Sequence, residues 1–168
     1  MSKHETLFVP APSNERSLRT ALGSFTTGVA VVTAWTEKGP IGMTANSFAS
    51  VSLDPPLVLW SPAKSSRRHT PFVTAEHYAI HVLGEEQHDI GERFVRKADD
   101  FSELDWSQNM EGVPIIAGAL ARFECARWMV HDGGDHSIVI GYVLRAAHRE
   151  GEPLCFSRGN FGRFASRN

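Results

Sequence analysis

The chain has 168 residues, 42% of them hydrophobic and 21% charged, with a formal net charge of -2 at pH 7. A chain of this length can bury a sizeable core, and its charge excludes a general attraction to nucleic acid or acidic membranes. Its two cysteines, Cys125 and Cys155, lie far apart without CxxC spacing, which argues against a disulfide scaffold and suits a reducing cytosol.

The first fifteen residues are polar and interrupted by Pro10 and Pro12, with no apolar stretch of the kind a secretory signal needs. No apolar run approaches the length that spans a bilayer. A soluble, cytoplasmic protein is expected, with residues 1–12 as a flexible segment and 13–168 as a single domain.

Leu18, Ala21, Leu22 and Phe25 fall at helical spacing after a cap at Ser13, which predicts a short N-terminal helix. The β-branched run 28–35 reads as a buried strand, and Glu37-Lys38-Gly39-Pro40 as the turn into the next. Residues 42–60 read as two strands joined at Asp54-Pro55-Pro56. A polar, basic loop over 61–68 leads to Thr70-Pro71, read as an N-cap and first helical residue of a second short helix.

A strand over 78–83 and a helix over 85–94 follow. Residues 96–112 lack clean periodicity and read as a long functional loop. Further strands are expected over roughly 119–131 and 137–148, joined across Asp132-Gly133-Gly134-Asp135, and a last one near 154–157. Mostly antiparallel strands with two or three short helices predict a mainly β fold, a closed or split barrel.

The first run after Gly42 carries small hydroxyl and amide side chains, Thr44, Asn46, Ser47 and Ser50, where a core strand would carry larger apolar groups. Small residues let a flat ligand approach the backbone, so the run reads as a ligand-binding edge; a plain polar strand facing solvent is the alternative. The loop 61–68 offers hydroxyls and arginines, and an arginine grips phosphate oxygens with paired hydrogen bonds that lysine cannot reproduce. Paired glycines in His131-Asp132-Gly133-Gly134-Asp135-His136 allow a tight turn that presents His136. No second ligand pair at metal spacing accompanies that turn, so no metal is expected. His69, His77, His81 and His88 read as surface or half-buried residues. The chain has no GxGxxG after a first strand, so a Rossmann dinucleotide site is unsupported.

These motifs, in order from Phe25-Thr26-Thr27-Gly28-Val29 through the run from Gly42 to Gly133-Gly134-Asp135-His136 and Phe156-Ser157-Arg158-Gly159, resemble the short flavin reductases with an FMN-binding split β-barrel. The resemblance covers nearly the whole chain beyond its first dozen residues. It implies a Greek-key, mostly antiparallel split barrel that passes hydride from NADH or NADPH to FMN or FAD. It places flavin contacts on Pro40, Ile41, Gly42, Met43, Thr44, Asn46 and Ser47, and on Ser61, Pro62 and Ala63.

By the same resemblance Arg67 and Arg68 lie toward the phosphate, a solvated basic loop being the alternative, with Arg93 and Phe94 as further flavin contacts; for Phe94 a core role is an equal alternative. His136 would stand near the nicotinamide, as the catalytic candidate, and Phe156, Arg158 and Gly159 would contact the nicotinamide cofactor; a C-terminal strand followed by a fraying tail is an equal alternative for that last segment. The family implies a homodimer that hands reduced flavin to a separate flavin-dependent monooxygenase. Two rivals remain at this stage: a split-barrel flavoprotein that retains FMN and reduces another acceptor, and a non-catalytic flavin- or haem-binding module.

Overall fold

The computed structural model describes residues 5–166. Residues 1–4 of the N-terminal segment, and 167–168, lie outside the described residues. The described residues form three α-helices, α1 (Glu15–Leu22), α2 (His69–Thr74) and α3 (His88–Arg96). The strands of its first half are β1 (Thr27–Gly28), β2 (Ala30–Thr36), β3 (Gly39–Ala45), β4 (Ala49–Leu53), β5 (Pro56–Trp60) and β6 (His77–Val82). Those of the second half are β7 (Trp106–Gln108), β8 (Pro114–Ile116), β9 (Ala121–Gly133), β10 (His136–His148), β11 (Leu154–Ser157) and β12 (Asn160–Arg163).

Seven strands form one antiparallel sheet in the order β3-β2-β6-β9-β10-β5-β4. Its two edge strands, β3 and β4, are consecutive in the chain, linked only by Asn46-Ser47-Phe48. A flat sheet would hold those edges about 29 Å apart at about 4.8 Å per strand, whereas four residue steps reach about 14 Å. The sheet therefore curls on itself, which makes the split barrel. A small sheet, β1-β11-β12, and the pair β7-β8 flank it.

Strand β2 explains why the barrel has a core on each side. Ala30, Val32 and Ala34 face an interior cluster with Met43, Trp60, Phe72, Tyr78 and Ile80. Val29 and Val31 instead join Leu83, Phe94, Phe101, Ile116 and Leu154 under α3 and the following loop. A strand buried on both faces reads as a continuous apolar run, as 28–35 does.

Several elements differ from the sequence reading. The run after Gly42 is broken into β3 and β4 by Asn46-Ser47-Phe48, because the chain there must cross from one sheet edge to the other. The first helix starts at Glu15 after a short 3-10 turn at Pro12–Asn14, and the residue flanking it is Asn14 rather than Ser13. Helix α2 begins at His69, so Pro71 is its third residue and Arg68 flanks it. That place suits a proline, since the first helical turn has no intrahelical acceptor for its N–H groups.

The expected helix over 85–94 divides into a 3-10 turn at Glu85–Gln87 and α3. The long loop hides β7, and Arg158-Gly159 turns the chain into the unforeseen strand β12. His81 is fully buried rather than superficial, because β6 packs beneath the loop that carries β8.

Candidate functional site

A groove runs along the outer side of β3. One part, about 140 Å³, is lined by Val29, Thr44, Ala45, Asn46, Val95, Phe156 and Phe161. It adjoins, through Thr44 and Val95, a second part of about 380 Å³ that adds Met43, Ser66, Arg67, Arg68 and Phe94. The first part is apolar with an aromatic wall; the second mixes apolar surface with Thr44, Ser66 and the two arginines. Such a groove can take a flat ring at one end and an anion at the other.

The hydrogen bonds around it show what holds its walls. Thr44 Oγ1 donates to Gly91 O at 2.6 Å, tying β3 to α3. Ser47 Oγ accepts from the Ser61 N–H at 2.9 Å and so fastens the β3–β4 link to the start of the basic loop. The Thr44 and Ser47 hydroxyls, two of those expected to meet ligand, are thus engaged with the protein's own backbone.

Gly42 is small for a different reason from the one its sequence suggests. The nearest group to its missing Cβ is the ring of Phe94, not open space. Phe94 is fully buried and packs edge-on against Phe101 at 4.9 Å, so it is a core residue whose edge reaches the groove. At the other end of β3, Pro40 pairs with Trp35 and Ile41 packs on the barrel interior, both outside the groove lining.

Arg68 and Arg67 divide the work of the basic loop. The Arg68 guanidinium donates to the carbonyls of Phe94 and, at 3.2 Å, Val95, the last turn of α3. Partial burial holds its pKa below the usual arginine value, with Asp99 opposing. It closes off free carbonyls at the negative end of the helix dipole. Arg67 is exposed and lines the groove. Arg93 faces elsewhere: it donates to Ser102 O at 2.6 Å, pairs with Asp100 at 3.3 Å, and borders a separate charged hollow.

His136 stands at the tip of the β9–β10 hairpin, half-exposed, with Nδ1 2.8 Å from Asp135 Oδ1. That contact holds the Asp135 carboxyl below the usual carboxylate range. Ala63 bridges to His136, and the Ser137 N–H donates to Pro62 O at 3.1 Å, so Pro62 and Ala63 abut the hairpin tip, while Ser61 is tied to Ser47.

On the opposite wall, Phe156 lines the groove, and Arg158-Gly159 form the β11–β12 turn with φ of 51° and 83°. The Arg158 N–H donates to Gly23 O at 2.9 Å, which anchors that turn to the end of α1.

Residues 22–165 match the flavin reductase like domain. The chain belongs to the flavin reductase family. It is 65% identical over 162 residues to the FMN reductase (NADH) SmoA of Agrobacterium fabrum, covering 96% of this chain and 93% of that protein. Identity to the reductase component of the flavin-dependent trigonelline monooxygenase of Acinetobacter baylyi is 51% over 130 residues, 76% of this chain. That alignment takes in 42% of the Acinetobacter protein, so the chain spans less than half of that relative. Among solved structures, the Streptomyces globisporus NADH:FAD oxidoreductase SgcE6 superposes with a TM-score of 0.88 at 39% identity, covering 98% of this chain and 96% of that one.

Sequence reasoning about this flavin reductase singled out none of Phe161, Val29, Ala45 and Val95 in the groove lining, while Ser66 fell within the loop read as offering hydroxyls. Phe161 had a usable signal. It sits opposite Phe156 across a two-residue Arg-Gly turn, and a glycine at that place is a hairpin mark. The others are set by the curl of the barrel and carry no local sign.

Proposed function

We propose that this flavin reductase transfers hydride from NADH to FMN and releases the reduced flavin to a separate flavin-dependent monooxygenase. The observation that carries the reading is the groove along β3, apolar and aromatic at one end and faced by Arg67 at the other. FMN and NADH are favoured over FAD and NADPH because the 65%-identical relative carries both in its name. The monooxygenase partner follows the name of the Acinetobacter relative.

The lining suits a flavin: Phe156, Phe161 and Val29 offer apolar surface to a ring, while Ser66 and Arg67 offer donors to a phosphate. Bound flavin supplies the hydride-accepting ring. The chain's part is placement. Met43, Thr44 and Asn46 would flank the ring edge, and His136, fastened to Ala63 in the loop that leads to Arg67, would orient the nicotinamide. Holding two rings in contact removes most of the entropic cost of their encounter. No protein base is needed for hydride transfer, so His136 acts on position and on the later proton balance at the ring.

The groove is open, which suits a flavin that enters and leaves. A homodimer is part of the proposal: Leu53 is 96% exposed, and Phe25, Trp128 and Met129 also present apolar surface that a second copy would cover. No helix among the described residues is long and apolar enough to cross a membrane; we place the protein in the cytoplasm.

The test is aerobic oxidation of NADH and NADPH by purified protein without flavin, with FMN and with FAD. Turnover that rises and saturates with added FMN supports the reading. Turnover without added flavin points to a retained prosthetic group, and flavin binding without turnover points to a binding module. Light scattering on the same sample reads the oligomeric state.

A further inference from the structure

We propose that Lys64 is a positioning residue for His136, clamping the hairpin tip onto the loop that faces the flavin phosphate; this rests on the reductase reading above. By residue type, Lys64 in a basic loop would be taken as a phosphate contact. Its ammonium is already engaged. Nζ lies 2.5 Å from Asp132 Oδ2 and 2.6 Å from Gly134 O, both on the hairpin that carries His136.

The clamp has a backbone half as well. The Lys64 N–H donates to Asp135 O at 2.8 Å, and the Ser137 N–H donates to Pro62 O at 3.1 Å, so the two bonds flank His136 in the chain. Asp132 braces the turn from within, because its Oδ1 accepts the Gly134 N–H at 2.9 Å while its Oδ2 holds the lysine. His69 Nε2 lies 2.9 Å from Ser137 Oγ and adds a third tie from the start of α2.

An unsupported two-residue tip at the end of two 13-residue strands belongs to the low-stability part of a fold. Here it is fastened to 62–64, and Ser66 and Arg67, two and three residues on, line the cationic part of the groove. The phosphate end of the flavin site and the imidazole that meets the nicotinamide therefore move as one body. The loop thus serves as the fixed support against which the hairpin tip holds His136.

The variants K64M, K64R and D132N of the full chain test this with three readouts. These are FMN affinity by fluorescence quenching, steady-state NADH oxidation with saturating FMN, and hydrogen exchange at the Ser137 and Gly134 amides. K64M should raise the KM for NADH at least five-fold, leave the FMN Kd within two-fold, and speed exchange at both amides. K64R can span the same two acceptors and should restore all three readouts. D132N should reproduce most of the K64M effect, and the double variant should be no worse than K64M.

A rise in FMN Kd with an unchanged KM for NADH would make Lys64 a phosphate contact and overturn the proposal. So would three variants indistinguishable from wild type, the outcome for an exposed ion pair without consequence. Failure of wild-type turnover would count against the reductase reading instead, and the exchange and quenching readouts would still decide the clamp.

Discussion

Gly42 and Phe94 are fitted to each other. A Cβ built on Gly42 would lie 2.9 Å from Phe94 Cγ and closer still to two other ring carbons. Phe94 has no room to retreat, since its ring is fully buried against Phe101 and the outer core. The pair sets how near α3 can come to β3, and so the width of the groove between them. Gly42→Ala should cost about 1–3 kcal/mol by overpacking, and Phe94→Ala about 3–5 kcal/mol. The double variant should be less destabilised than the sum, because removing the ring frees the space. Urea unfolding of the four proteins reads the coupling; strict additivity would mean that the two residues do not meet.

Arg67 and Arg68 should separate cleanly on substitution. Arg68→Ala removes the donor to the last carbonyls of α3, and should lower stability by about 1–2 kcal/mol. Arg67→Ala should leave the melting temperature nearly unchanged and weaken FMN binding several-fold, with the loss shrinking at high salt. Thermal melts and fluorescence titrations at two salt concentrations distinguish them. The opposite assignment would show as a stable Arg68→Ala protein that has lost flavin affinity.

His81 gives the fold a pH dependence whose sign is fixed. Nδ1 donates to Val31 O and Nε2 accepts from the Ile116 N–H, each at 3.1 Å, so the ring is held neutral. Burial pulls its pKa down to about 4. In the unfolded chain the ring takes up a proton near pH 6.5 while the folded one resists it. Stability from this group is therefore full above about pH 6.5 and is lost as pH falls toward 4, by about 3 kcal/mol. Urea unfolding between pH 7.5 and 4 should show that slope, reduced in His81→Gln. Equal slopes in both proteins would assign the acid sensitivity to other groups.

Arg158 occupies a position that ordinarily favours glycine or asparagine. With φ of 51° before Gly159, it is the first residue of a two-residue hairpin loop whose favoured pair has positive φ at both places. Arg158→Gly should leave the fold unharmed or stabilise it by up to about 1 kcal/mol. The same variant should raise the KM for NADH while leaving FMN affinity intact. Steady-state kinetics beside thermal melts check both parts; unchanged kinetics would remove Arg158 from the nicotinamide contacts.

Local pattern was enough for the three α-helices and the longer strands, while β7, β8, β12 and the break between β3 and β4 escaped it. The apolar run 28–35 and the Gly-Gly tip each carry their signal within a few residues. The resemblance added the family, because Gly42 to Ser47 and the Gly-Asp-His tip occur in the expected order. Side-chain roles inside the site were less legible. Arg67 and Arg68 are neighbours of the same type, and nothing in the chain says that one faces the groove while the other closes a helix end.

That division follows from the physics of each level. Periodicity, turn chemistry and β-branching act over a few residues, so the sequence shows which segments pair and where they turn. The partner of Gly42 lies 52 residues away in Phe94, and that of Lys64 lies 68 away in Asp132. Those pairings arise only when the barrel curls and brings α3, the basic loop and the hairpin tip together, and the curl is what assigns each polar group to ligand or to backbone.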